Sequence, residues 1–325
     1  MKSRIIVNVF ILFLWNTAAM VNCSSRACKD SVVIAVTAPY CKRHFIRYFE
    51  AKVSSTIKKY KLVSKKDKIV VACSGGKDST TVLYLLNKWF GNVTALAIDE
   101  GIPGYRNVTL EDLRGFCSHY NIPLKVVSYK EMFGFSLHEA LRKVTVLPCN
   151  ICGTLRRYLL NMSARGFTKI ATGHNLDDEA QSIMMNFFKS NLEIAARLGP
   201  VTGVVEDAKF VPRVKPLYFC HEKEVAAYAF MQDFGIRFNE CPHARISYRA
   251  SVRDFINELE QQQSGAKQNI VSNFLHLLPK LKAKHAGASG VSHCSSCGEP
   301  SSKDLCKACG YVHGLRATIL TTTKS

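Results

Sequence analysis

Acidic residues are scarce: 25 Asp and Glu stand against 44 Lys and Arg in 325 residues, a net charge of +19. That imbalance points to a polyanionic partner, most simply a nucleic acid. Internal repeats are absent apart from the cysteine-rich ends, which excludes a solenoid. A membrane-spanning run is also lacking. The apolar stretch 5–15, preceded by Lys2 and Arg4, falls short of the roughly 20 residues a span needs. Its flanks fit a signal peptide, and the competing reading is that translation begins at Met20. The paired cysteines described below need a reducing compartment, so we expect residues 1–19 to lie outside the working protein and the protein to be cytoplasmic, with no membrane partner.

The positive charge is unevenly placed. Residues 42–68 carry ten Lys and Arg against Glu50 and Asp67 only, and a second excess lies at Lys280, Lys282 and Lys284. Thirteen cysteines, an odd number, fall mostly into Cys-x-x-Cys or Cys-x-x-His pairs. In a chain of this length such spacing reads as metal binding in a reducing compartment rather than as a disulfide framework.

Apolar residues Phe45, Phe49, Val53, Ile57 and Tyr60 recur at helical spacing and predict a basic amphipathic helix over 45–66. Strands are expected at 68–73, 93–98, 124–129 and 168–171, with helices running to Trp89, over 108–120 and before the fourth strand. Such alternation predicts an α/β fold, a Rossmann-like parallel sheet covered on both faces. Amphipathic helices at 221–234 and 247–262 close a catalytic domain over 67–262. A linker and short helix follow over 263–289, then a module at 290–314 and a tail at 315–325. A finger at 20–44 precedes the whole.

Ser74-Gly75-Gly76-Lys77-Asp78-Ser79 follows the first strand, Ala72 ending it, and opens a helix. It is too short for a Walker A loop, yet the physics is shared. Glycines admit a phosphate close to the backbone, a helix N-terminus favours its charge, and Lys77 adds a cation. A second stretch, from Gly173 through Asp177 and Asp178 to Gln181, sits at another strand end, where the switch-point rule brings it to the same site. Asp178 is a candidate Mg²⁺ ligand; the alternative is that both acids simply start a helix. Ile98, ending the second strand, is expected to border the nucleotide.

In the tail, Cys294-x-x-Cys297 and Cys306-x-x-Cys309 have zinc-ribbon spacing, a closed structural site. Cys41 and His44, with Cys23 and Cys28, form a second and less regular zinc candidate. Cys73, Cys117 and Cys220 stand alone in apolar segments and are expected in the core. Cys149-x-x-Cys152 remains, with Cys241 as a third thiol. The pair fits half a zinc site completed by His243, a dithiol couple, or ligands of an iron–sulfur cluster.

The phosphate loop resembles the PP-loop of the ATP pyrophosphatases. Together with the stretches 148–157, 172–182 and 240–244 and the terminal modules, it resembles the TtuA family of tRNA 2-thiouridine synthetases over roughly residues 25–314. The resemblance implies an enzyme that adenylylates the uracil C2 oxygen with ATP and then replaces it with sulfur. It implies a 4Fe-4S cluster on Cys149, Cys152 and Cys241, with Arg156 near ATP. It further implies tRNA as substrate, a thiocarboxylated ubiquitin-like protein as sulfur carrier, and a homodimer. Cys149, Cys241, Lys77 and Asp178 are the expected catalytic residues. Two departures stand out: Ser25 occupies the place of the family's first finger cysteine, and the family has no leader. The rivals are a cytidine 2-thiolase of the same superfamily, which carries a second Cys-x-x-Cys, and a PP-loop ligase acting on a small molecule.

Overall fold

The computed structural model describes residues 23–25, 28–30, 32, 34–35, 38–144, 146–202, 209–237, 239–285 and 292–322. Residues 1–19 and the start expected at Met20 lie outside the described residues. Two units divide the chain, Met1–Tyr48 and Phe49–Ser325.

In the first unit, β1 (Ile34–Ala35) pairs antiparallel with β2 (Pro39–Tyr40). Helix α1 (Lys42–Lys59) then begins, so the basic helix starts three residues earlier than its apolar spacing suggested, with His44 in its first turn. Its expected apolar stripe is present: Phe45, Phe49, Val53 and Ile57 are all buried. The helix stops at Lys59 rather than near 66, and Lys61 takes a left-handed φ of 49° just beyond it.

The second unit alternates as expected. It runs β3 (Ile69–Ala72), α2 (Lys77–Phe90), β4 (Val93–Asp99), α3 (Arg106–His119) and β5 (Leu124–Ser128). Short helices α4 (Tyr129–Phe133) and α5 (Leu137–Leu141) lead into α6 (Pro148–Ser163), then β6 (Lys169–Thr172) and α7 (Leu176–Phe188). After α8 (Leu192–Ala195) come β7 (Val201–Thr202), β8 (Arg213–Val214), α9 (Glu222–Met231) and α10 (Tyr248–Gln262). The chain closes with α11 (Ala266–His285), β9 (Ser292–His293), β10 (Pro300–Ser301) and α12 (Lys307–Thr322).

The main sheet has the order β5-β4-β3-β6-β8-β7. All its pairings are parallel except the edge pair β7–β8. Strand β3 pairs β4 on one side and β6 on the other, with Ala72 opposite Leu96 and Thr172. The crossovers diverge there, which opens a crevice at the carboxyl ends of β3 and β6. Both faces are covered, so β3 reads as an uninterrupted apolar run.

Two departures concern the C-terminal third. A linker and short helix were expected after residue 262; instead α11 runs for 20 residues and carries Pro279 inside it. Its Val271, Phe274 and Leu278 pack on Leu176, Ala180 and Ile183 of α7, and that burial outweighs the helix-breaking tendency of one proline. The tail beyond 314 is also not separate, because α12 continues to Thr322. Ala308, Val312 and Leu315 of α12 share one core with Ile151, Leu155 and Leu159 of α6 and with Leu96, Ile98 and Ile170 of the sheet. Cys73, Cys117 and Cys220 are buried, as their lone placement suggested.

Leu155 is fully buried where α6 meets the sheet. Leu155→Ala is expected to lower unfolding free energy by about 2–5 kcal/mol, measured as a reduced denaturant midpoint at unchanged slope.

Candidate active site

The loop after β3 is shaped by its own hydroxyls. The Ser74 amide donates to Ser79 Oγ at 3.2 Å, the Gly76 amide donates to Ser74 Oγ at 3.3 Å, and Ser79 Oγ donates to Gly76 O at 3.1 Å. Gly75 has a φ of 83°, and a Cβ there would stand 2.2 Å from Thr109 O. Only glycine lets the loop lie this close to α3. Gly173, at the end of β6, is equally constrained: a Cβ would stand 2.6 Å from the Ser79 amide nitrogen. The two stretches expected to share one site are thus in backbone contact at the start of α2.

Lys77 reaches two carboxylates, Asp78 at 3.1 Å and Glu222 at 2.9 Å. Burial works against its charge, but the two acids outweigh it and hold the ammonium above its usual range. Asp78 is fixed in turn by Asn175 Nδ2 at 3.0 Å. Ile98 turns its side chain into the core, so only its backbone can border a nucleotide. Neighbouring Asp99 accepts from the Gly101 amide at 2.9 Å.

The acids at the start of α7 follow the second of their two readings. Asn175 accepts from the Asp178 amide at 3.1 Å, and Asp178 Oδ2 accepts from the Asn175 amide at 3.2 Å, a reciprocal capping box. Asp178 Oδ1 lies 3.2 Å from Arg249. Burial raises the Asp178 pKa to about 6, with Asp78 adding to the shift and Arg249 opposing it. Asp177 is buried, paired with Lys267, and accepts from the Glu222 amide at 2.8 Å. Both Asp178 oxygens are thus engaged, one by the helix cap and one by Arg249.

His174 is exposed to the crevice, its Nδ1 2.9 Å from Thr172 Oγ1. Burial among protein atoms holds its pKa below the usual value, and the cations Lys215, Arg249, Arg213 and Arg156 push the same way. A neutral imidazole surrounded by cations marks an anion-attracting crevice.

Helix α6 begins with Pro148 at its first position, so Cys149 and Cys152 share its first turn at i, i+3 spacing. Cys149 is exposed and its thiol lies 3.9 Å from His243 O, two residues beyond Cys241; Cys152 is buried. Cys241 senses the charge of Cys149, and Cys152 that of Cys241, so the three thiols converge. Burial raises all three pKa values, opposed by Arg156, whose guanidinium donates to Cys152 Sγ at 3.3 Å. A bound metal would deprotonate such thiols outright. Among the described residues, this trio is not one of the groups whose ligand atoms lie within 4.8 Å of one another.

The two groups that are so close are Cys23, Cys28, Cys41 and His44, and Cys294, Cys297, Cys306 and Cys309. In the first, Cys41 Sγ lies 3.2 Å and Cys23 Sγ 3.4 Å from His44 Nδ1, so Cys23 takes the place left by Ser25. In the second, the Cys306 amide donates to Cys294 Sγ at 3.3 Å. Burial opposes ionisation of Cys294, yet amide donors from Cys306, Cys297 and Ser296 win and bring its pKa down to about 6. Both donor sets have the chemistry and closeness of a tetrahedral zinc site.

Sequence reasoning missed Glu100, Arg106, Arg249 and Glu222. Glu100 alone had a signal, being adjacent to the strand end at Ile98 and Asp99. The others are lone charges that no spacing rule distinguishes from a solvated surface.

Residues 47–259 match the PP-loop domain family. The tRNA-5-methyluridine(54) 2-sulfurtransferase of Pyrococcus horikoshii is 39% identical over 295 residues, covering 88% of this chain and 92% of that protein. The cytoplasmic tRNA 2-thiolation protein 1 of Drosophila mojavensis is 36% identical over 286 residues, covering 85% of this chain and 82% of its own length. Among solved structures, the U34-tRNA thiolase NcsA from Methanococcus maripaludis with its [4Fe-4S] cluster superposes with a TM-score of 0.76 at 33% identity, over 92% of this chain and 97% of that one. The match to the PP-loop domain and the similarity to these proteins along almost the whole length together show that the chain belongs to the PP-loop family of tRNA 2-sulfurtransferases.

Proposed function

We propose that this protein is a cytoplasmic tRNA uridine 2-sulfurtransferase that spends ATP to replace the C2 oxygen of a uracil with sulfur. The observation that carries the reading is the run of contacts from the phosphate loop to the cysteine pair: Ser74 O to Arg106, Arg106 to Glu100, Glu100 to Arg156, and Arg156 to the Cys152 sulfur. Uracil C2 oxygen is a poor leaving group and needs activation. Its attack on the α-phosphorus of ATP releases pyrophosphate, and sulfur attack at C2 then releases AMP. The N-terminus of α2 and Lys77 hold the phosphates, for which Lys77 exchanges Glu222. Arg156 and Arg249 neutralise charge developing at the α-phosphate. His174, kept neutral, contributes a hydrogen bond without a competing charge.

Cys149, Cys152 and Cys241 would hold a 4Fe-4S cluster, which supplies an open iron where sulfide can bind. The thiols and Arg156 keep that sulfur donor beside the nucleotide rather than in solvent. Zinc on the two four-ligand groups would fix the terminal modules. Among the described residues no helix is long and apolar enough to cross a membrane. Lys58, Lys61, Lys65 and Lys169 with Trp89 line an open cavity of about 950 Å³, which supports a basic surface for the tRNA backbone. The family resemblance supports a thiocarboxylated ubiquitin-like protein as sulfur carrier and a homodimeric assembly.

Protein purified without oxygen is expected to be brown and to contain iron, acid-labile sulfide and zinc. Cys241→Ala should lose the iron and keep the zinc; a colourless protein with zinc alone would sink the cluster assignment. Gly75→Ala is expected to weaken ATP binding by about 10-fold or more, roughly 1.4 kcal/mol, by titration calorimetry, because its Cβ would collide with α3. Unchanged affinity would mean the nucleotide binds elsewhere. Mass spectrometry of tRNA from cells lacking this gene should reveal loss of 2-thiouridine at position 34 or at position 54, the sites named for two of the relatives. Full thiolation at both would refute the function.

A further inference from the structure

One buried carboxylate touches both halves of this site. Glu100 directly follows β4, and its side chain is 6% exposed. Its Oε2 lies 3.0 Å from Nε of Arg106, which is 3% exposed. Arg106 Nη1 in turn donates to the carbonyl oxygen of Ser74 at 2.6 Å and to Thr109 Oγ1 at 3.3 Å. The other oxygen of Glu100 lies 3.5 Å from Nε of Arg156, whose Nη2 donates to Cys152 Sγ. Arg156 is 44% exposed, so the same guanidinium also faces the crevice. Tyr129 donates to the Cys152 carbonyl at 2.9 Å and steadies the first turn of α6.

The chain of contacts therefore runs from Ser74 O through Arg106, Glu100 and Arg156 to the Cys152 sulfur. Two arginines share one acid, so the trio keeps a net positive charge, and only Arg156 can present it to an anion. Among the described residues Arg106 Nε and Nη2 are both buried without a hydrogen-bond partner, so Glu100 holds Arg106 by charge and proximity rather than by an aligned hydrogen bond, a costly arrangement that calls for an explanation. Arg106 holds the back of the phosphate loop. Arg156 is the end of the network free to move, and a triphosphate in the loop would compete for it.

We propose that Glu100 is a positioning residue that couples the nucleotide loop to the Cys149–Cys152 turn. Phosphates in the loop draw Arg156 off the Cys152 sulfur, and Glu100 sets how far that guanidinium travels. Nucleotide binding and the state of the cysteine turn then influence each other reciprocally, as any linked pair of sites must. The inference rests on the nucleotide reading of the loop but not on the identity of the final acceptor.

The test is the rate at which iodoacetamide alkylates Cys152 in the full-length, cluster-free protein, followed by mass spectrometry of its peptide with and without ATP. In the unaltered protein, ATP should slow alkylation by about 5-fold or more. Glu100→Gln keeps the size and an acceptor but loses the charge, and should reduce that ATP effect to less than about 2-fold while ATP still binds. Direct shielding of the thiol by ATP would survive this substitution, and an undiminished effect in Glu100→Gln would overturn the proposal. If Glu100→Gln fails to fold by circular dichroism, Arg156→Gln decides, since it breaks the exposed link only; the ATP effect should again disappear, and its persistence overturns the proposal. ATP that binds the unaltered protein without changing alkylation would overturn the coupling and leave the function intact. Absence of ATP binding would overturn both.

Discussion

The hydrogen-bonded register of β3 against β4 and β6 is the constraint on which the site depends. Ala72 lies opposite both Leu96 and Thr172, so β3 and β6 end level at one edge of the sheet while β4 runs on to Asp99. Ser74 to Ser79 follow β3, Glu100 follows β4, and Gly173 with His174 follows β6. Slipping one of these strands by a residue would turn its side chains to the opposite face and withdraw its contribution. Gly173 shows how tight the fit is, since there is no room for a methyl group between the end of β6 and the Ser79 amide.

Within that frame the electrostatics run in one direction. Lys215 is neutralised by Glu179 at 2.7 Å, Arg249 faces Asp178, Lys77 faces Asp78 and Glu222, and Arg106 and Arg156 share Glu100. The protein's own carboxylates pair with these cations. Some of these carboxylates are replaceable and some are not. Glu222 is half exposed and can leave Lys77 at little desolvation cost, whereas Glu100 and Glu179 are buried and stay. Incoming phosphates would thus displace Glu222, compete for Arg156, and leave the rest of the network standing.

Local signals were legible in the sequence and tertiary ones were not. The Gly-rich loop, the alternation of strands and helices, and the tail ribbon each lie within a short window, and the fold expected from them is present. Strands β7 and β8 have two residues each, too few for any period to register. Pro279 and a glutamine-rich stretch concealed α11, whose stability comes from packing on α7. Asp177 and Asp178 fit a metal site and a helix start equally well in sequence; their partners Lys267 and Arg249 lie some 70 to 90 residues away. The irregular spacing of Cys23 and Cys28 is resolved in the same way, by a turn that gathers four ligand atoms within 4.8 Å.

The C-terminal ribbon bears on the site from the far end of α6. Glu299, which is 5% exposed, accepts from Asn161 and Arg165 near the last turn of that helix, and Lys209 donates to Gly298 O at 2.7 Å. Downstream, α12 packs along α6 in the same core, and Arg316 donates to Phe133 O at 3.0 Å. Cys149 and Cys152 occupy the opposite, N-terminal turn of α6. A helix held along its length and at one end transmits little slack to the other, because packed interiors yield poorly to small displacements. The tail module therefore stands away from Cys149 and Cys152, yet it and α12 hold the far end and the flank of the helix that carries them.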